Sequence, residues 1–128
     1  MFDKILIANR GEIACRVIKT ARRMGIETVA VYSEADAASL HLQQADEAHS
    51  LGEGPATQTY LDVEKILRIA RETGAKAIHP GYGFLSENAA FAEACEAAGI
   101  AFVGPTPEQL RVFGLKHTAR ALAKQRGV

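Results

Sequence analysis

Several features are scarce in this sequence, and each shortage excludes something. Among 128 residues there are two cysteines, Cys15 and Cys95. Both fall in segments of helical period, so the expectation is free thiols in a reducing compartment rather than a disulfide scaffold. Neither sign of charge is in excess: 15 Lys and Arg balance 15 Asp and Glu. That balance removes the general field that draws a protein to nucleic acid or to an anionic membrane. Apolar runs fall far short of the roughly 18 residues a membrane span needs. Charges interrupt the opening "MFDKILIANRGEIA", unlike a cleavable signal peptide. A cytoplasmic protein with no nucleic-acid or membrane partner is the expectation. The four histidines, His41, His49, His79 and His117, share no metal-ligand spacing with one another or with the cysteines, so no metal site is expected. Neither Ser33 nor Ser86 sits in G-x-S-x-G, and no catalytic triad assembles.

What is present is alternation. "KILIA" at 4–8 is strand-like and leads into a helical period from Gly11 to about Met24, with Ile13, Val17, Ile18, Ala21 and Met24 on one face and Arg16, Lys19, Arg22 and Arg23 largely away from it. "ETVAVY" at 27–32 gives a second strand, 36–44 a short helical patch, and "EAHSLG" at 47–52 a third strand. Val63, Ile66, Leu67 and Ala70 mark a helix that stops at Gly74, the usual place for a left-handed cap. "AKAIH" is a fourth strand. Phe91, Ala94, Cys95 and Ala98 define a helix ending at Gly99, before a fifth strand "IAFVG" at 100–104. Strands too apolar to expose either face predict a parallel sheet of about five strands with helices on both sides. "TPEQ" at 106–109 is a capping box, and a further helix is predicted from about Leu115 to Gln125, with no strand after it.

In such sheets ligands bind beyond the carboxyl ends of the strands, where "NRGE" and "HPGYGFLSEN" both fall. "NRGEIA" approaches the dinucleotide fingerprint, with Asn9, Gly11 and Ala14 in the glycine positions and Glu34 or Asp36 where a ribose-binding acid would follow. The alternative is a tight strand-to-helix turn. In "HPGYGFLSEN", Pro80, Gly81 and Gly83 turn the chain, and Ser86 or Asn88 caps the next helix, with Glu87 near its positive end. His79 is read as hydrogen-bonding a neighbouring loop in preference to transferring a proton. Turn chemistry does not account for the rings of Tyr82 and Phe84. Either they plug the rim of the sheet or they face a partner. Lys116, a cation at a helix start, hints at an anion nearby.

Together "KILIANRGEIACRV", "AVYSEAD", "ADEAHSLG", "YLDVEKIL", "AIHPGYGFLSENAAFA" and "FVGPTPEQL" resemble, in order and along the whole chain, the N-terminal domain of the biotin carboxylase component of biotin-dependent carboxylases. The tail "FGLKHTARALA" is most similar to urea carboxylase, including the urea amidolyase form. The resemblance implies a Rossmann-like pre-ATP-grasp domain at 1–105 and a helical extension at 106–128 leading toward an absent ATP-grasp domain. It implies an enzyme that uses Mg-ATP to activate bicarbonate as carboxyphosphate and carboxylates biotin. The carboxyl then passes to urea or a related acceptor.

By the same resemblance Lys116 contacts nucleotide, Tyr82, Gly83 and Phe84 form the loop facing the cleft and biotin, and Glu87 and Asn88 support that loop and the domain junction. The Mg-binding carboxylates, the ATP lid, the bicarbonate-binding cations and the biotin-carrier domain all belong beyond Val128. Residues 1–128 are therefore expected to have no catalytic residue or tightly bound cofactor of their own, and neither to hydrolyse ATP nor to carboxylate biotin. Two other readings stay open, a stand-alone NAD-type nucleotide module and an interaction domain that forms a homodimer through the basic face of the first helix.

Overall fold

The fold grows outward from its first strand. In the computed structural model, which describes residues 3–104, β1 (Lys4–Ile7) lies at the centre of a five-stranded, all-parallel sheet of order β3-β2-β1-β4-β5. A central parallel strand is covered on both faces and must be apolar on both. Ile5 and Ile7 face one side, Leu6 and Ala8 the other, and all four are buried. Leu6 pairs with Val29 of β2 (Glu27–Tyr32) and with Ile78 of β4 (Ala77–His79), so one row of branched side chains crosses the sheet.

The chain first moves one way across the sheet. Helix α1 (Gly11–Arg23) and the short α2 (Leu40–Gln44) connect β1, β2 and β3 (Glu47–Ser50). It then returns through α3 (Val63–Thr73), places β4 on the other side of β1, and finishes through α4 (Ala89–Ala97) with β5 (Ala101–Phe102). Right-handed crossovers put helices made while moving in opposite directions on opposite faces. Ala14, Ile18 and Ala21 of α1 accordingly pack on Ile5, Ile7 and Ala77. Ile66, Leu67 and Ala70 of α3 and Phe91 and Cys95 of α4 pack on Leu6, Val29 and Ile78. Gly74 closes α3 at φ +75°, as its position in the sequence predicts.

Three local expectations are adjusted. Met24 is 55% exposed, because α1 ends at Arg23 and Met24 leaves the helical face, while Ala14 takes up the inner position at the other end. β3 is one of the two outer strands, bonded on one side only; Ala48 and Ser50 are exposed, and Glu47 and His49 are half-buried. β5 is two residues long and half-buried, shorter than its apolar run suggests. Cys15 and Cys95 are both free, and burial pushes the Cys95 thiol up to about 11. No helix among the described residues is long and apolar enough to cross a membrane. The capping box at 106–109 and the helix expected over 115–125 lie outside the described residues.

Candidate functional site

After β1 the chain turns toward β2, and after β4 it turns the opposite way toward β5. The two loops leaving these neighbouring strands flank the point where the sheet's winding reverses, the place where open α/β sheets take ligands. Here the loops are joined to each other. Asn9, 3% exposed, donates from Nδ2 to the carbonyl oxygens of Pro80 (2.8 Å) and Tyr82 (2.6 Å), while its Oδ1 accepts from the Arg10 N–H at 2.8 Å. Every hydrogen-bonding direction that this amide has to spend on the loop is used. Its role is that of a side chain, not of a stand-in for a fingerprint glycine, since among the described residues it does not share the positive φ of Gly11 (φ +67°).

The segment "HPGYGFLSEN" follows from this join. Gly81 sits at φ +66°, and a Cβ on it would lie 2.7 Å from Asn9 Nδ2, so both its backbone and its neighbour require glycine. His79 Nδ1 accepts from the Gly81 N–H at 3.1 Å; burial lowers the imidazole pKa and keeps that nitrogen an acceptor. The histidine thus braces its own loop, two residues on, and not the neighbouring loop that its position suggests. Gly83 and Phe84 also have positive φ, at +68° and +46°. Leu85 is buried in the core, and Asn88 caps α4 by accepting from the Phe91 N–H at 2.9 Å. Glu87 is exposed beside it. Held at both ends, the loop presents Tyr82, 78% exposed, and Phe84, 36% exposed.

A second cluster lies beside the first. Arg10 makes a two-pronged contact with Asp36, Nε to Oδ2 at 2.7 Å and an Nη to Oδ1 at 2.8 Å. Asp36 also accepts from the Tyr60 hydroxyl at 2.6 Å and from Ser33 Oγ at 3.3 Å. The Tyr60 hydroxyl in turn accepts from the Ser33 N–H at 3.2 Å, and its ring stacks on Phe84 with centroids 5.1 Å apart. Glu34 accepts from Ser50 Oγ at 2.5 Å. Both acids that could have met a ribose are thus engaged by the protein itself, Asp36 by Arg10 and Tyr60 and Glu34 by Ser50. These links were missed from the sequence, where a tyrosine at the end of "EGPATQTY" carries no mark of its partners. Lys116 lies outside the described residues, and no cluster of three or more metal-ligating side chains occurs among those described.

The Arg10 guanidinium, donating hydrogen bonds, holds the Asp36 carboxyl down at about 2 against the upward pull of burial, with further help from Tyr60. A lowered carboxyl pKa contributes stability that is complete above its unfolded value and lost as pH falls through the folded one. Urea melts are therefore expected to lose about 1–2 kcal/mol of stability on this account between pH 4 and pH 2, the exposed side of Arg10 being discounted for screening. The stability difference between wild type and Asp36→Asn should shrink over the same range.

On the α1 side of the loop, Ile13, Val17, Met24 and Tyr82 line an open apolar depression of about 480 Å3, with Arg16 at its edge. The molecule therefore shows a rim of two interlocked loops with exposed rings beside an apolar surface. Comparison with known proteins gives this rim its family. The model for the biotin carboxylase N-terminal domain matches residues 1–110. The chain belongs to that family.

Among proteins similar to this biotin carboxylase N-terminal domain is the propionyl-CoA carboxylase alpha chain of Ruegeria pomeroyi, 59% identical over the whole chain, which spans 19% of that relative. The solved Kluyveromyces lactis urea amidolyase is 53% identical with a TM-score of 0.89, covering 99% of this chain and 8% of its own. The biotin carboxylase domain of the Hydrogenobacter thermophilus 2-oxoglutarate carboxylase, solved as a dimer with MgADP, ADP and bicarbonate, is 49% identical with a TM-score of 0.88, covering all of this chain and 28% of its own. The chain thus spans less than a third of each of these relatives. Their names carry three different carboxyl acceptors, so similarity across this domain does not select one.

Proposed function

We propose that this domain is the first part of an ATP-dependent biotin carboxylase, and that its two joined loops form one wall of the carboxylation cleft. In that reaction bicarbonate takes the γ-phosphoryl group of ATP to give carboxyphosphate and ADP. The carboxyl then passes to a ureido nitrogen of biotin with release of phosphate, and from there to urea. The observation that carries the reading is the Asn9 join, which holds Tyr82 out at the sheet's switch point with its ring exposed. Exposed aromatic faces and carbonyls held in place suit a flat ureido ring, and a fixed wall lowers the entropic cost of bringing it to a second reactant. Tyr82, Gly83 and Phe84 face biotin, Glu87 and Asn88 hold the loop and the domain junction, and Lys116 approaches the nucleotide. The Mg2+ ligands and the bicarbonate-binding cations belong to the ATP-grasp part.

Urea as acceptor is supported by the tail "FGLKHTARALA". The experiment measures bicarbonate-dependent ADP release with free biotin, for residues 1–128 and for the full-length carboxylase that contains them. Turnover is expected only from the latter, and addition of urea, not of propionyl-CoA, should accelerate it. Turnover by residues 1–128 would overturn the reading of this domain as one wall, and stimulation by an acyl-CoA the choice of acceptor. The basic outer face of α1 is a further candidate, for a contact between two copies, since one solved relative is a dimer. Sedimentation of the full-length enzyme with Arg16→Glu should then shift it toward monomer.

A further inference from the structure

We infer that Tyr60 is a positioning residue for the biotin-facing loop: it holds Phe84 in a conformation the chain would otherwise leave, and so sets where Tyr82 stands. This rests on the proposed role of that loop. Phe84 is the one non-glycine residue with positive φ among those described, at +46°. An L side chain keeps such a backbone only where its surroundings hold it there, and held strain of this kind gathers at working sites. On one flank Leu85 is sunk in the core, and on the other the Tyr82 carbonyl is gripped by Asn9. Neither contact touches the Phe84 ring. That ring meets Tyr60, 5.1 Å away at an interplanar angle of 30°.

Tyr60 can serve as an anvil because it cannot slide. It is buried, and its hydroxyl donates to Asp36 and accepts from the Ser33 N–H. Asp36 is itself fixed by both prongs of Arg10. The anchor thus runs from the loop after β1, through the segment after β2, to the ring under Phe84. It reaches the same loop that Asn9 grips, by a route that shares no atom with the Asn9 bonds. A phenylalanine at 60 would keep the stack and lose the tether; a leucine would lose both.

Two measurements test this, one on the chain alone. Chymotrypsin should nick residues 1–128 after Tyr82 and Phe84 about tenfold faster in Tyr60→Leu than in wild type, the factor an aromatic pair of this kind is worth, and by a smaller factor in Tyr60→Phe. In the full-length carboxylase the same leucine variant should raise the KM for free biotin by a similar factor and leave the KM for ATP within about twofold. If Tyr60→Leu does not fold, Phe84→Leu removes the stack from its exposed side and replaces it in the nicking assay, read after Tyr82 alone, while Tyr60→Phe replaces it in the kinetic one. Unchanged nicking overturns the positioning role. So do KM values for ATP and biotin that rise together, since that is what general loosening would give. If the wild-type enzyme shows no biotin-dependent turnover, it is the proposed function that fails, and the nicking rates still decide the role of Tyr60.

Discussion

Asn9→Asp, a change of one atom's identity and almost no volume, is expected to destabilise residues 1–128 by about 3–5 kcal/mol at pH 7, the range for a buried charge left without a partner. The Nδ2 donor that now meets two carbonyl oxygens at 2.8 and 2.6 Å would become an acceptor facing acceptors, in a site from which water is excluded. The variant carboxyl escapes this by staying protonated, so its folded pKa rises above the unfolded value near 3.9. With a raised folded pKa, the variant is least disadvantaged below pH 4 and loses stability as pH climbs through the folded pKa. That dependence is opposite in sign to the one Asp36 gives the wild type. Urea melts at pH 7 and pH 4.5 check it: the gap from wild type should narrow at the lower pH. Equal stability of the two proteins at pH 7 would show that the amide is not a donor to the loop.

Gly81→Ala carries the second large effect, about 2–4 kcal/mol from left-handed strain together with the loss of buried hydrogen bonds. The new Cβ would stand 2.7 Å from Asn9 Nδ2 and 3.1 Å from its Cβ and Cγ. Asn9 is short and enclosed, so it can yield only by giving up Pro80 and Tyr82. Gly83→Ala is the control, because Gly83 has nearly the same φ, +68° against +66°, but open space where its Cβ would go. It should cost only the backbone strain, about 1 kcal/mol. Combining Gly81→Ala with Asn9→Ala should cost clearly less than the sum of the two single changes, because both remove the same bonds. Full additivity in thermal or urea melts would separate the two residues.

The elements of this fold were legible because they depend on local pattern. Ile66, Leu67 and Ala70 show a helical period that ends at a glycine, and Ile5 to Ile7 form an apolar run that only a strand covered on both faces can use. The join between the loops was not legible, because Asn9 and Pro80 are 71 positions apart and a hydrogen bond from side chain to backbone leaves no trace in the identity of the residue that accepts it. For the same reason Glu34 and Asp36 both stayed open as ribose acids beside the reading of a plain tight turn: their type and position fit that use, and only the fold shows Arg10 bonded to Asp36 and Ser50 to Glu34. The two rings of "GYGF" posed a choice between plugging the rim and facing outward. Tyr82 stands in solvent, while Phe84 stacks one side on Tyr60 and keeps its other side exposed.

The strand made first is also the one that must wait longest for its neighbours. β1 pairs with residues 27–30 on one side and with 77–79 on the other. During synthesis at about 5–20 residues per second, one edge of β1 therefore stays open for several seconds after the other has closed. Until α3 and α4 arrive, Leu6 and Val29 have no cover on their side. A nascent chain halted with β1, β2 and β3 emerged and α3 and β4 still to come would hold a half-sheet with an apolar face and a free edge, the form of this domain in greatest need of a chaperone.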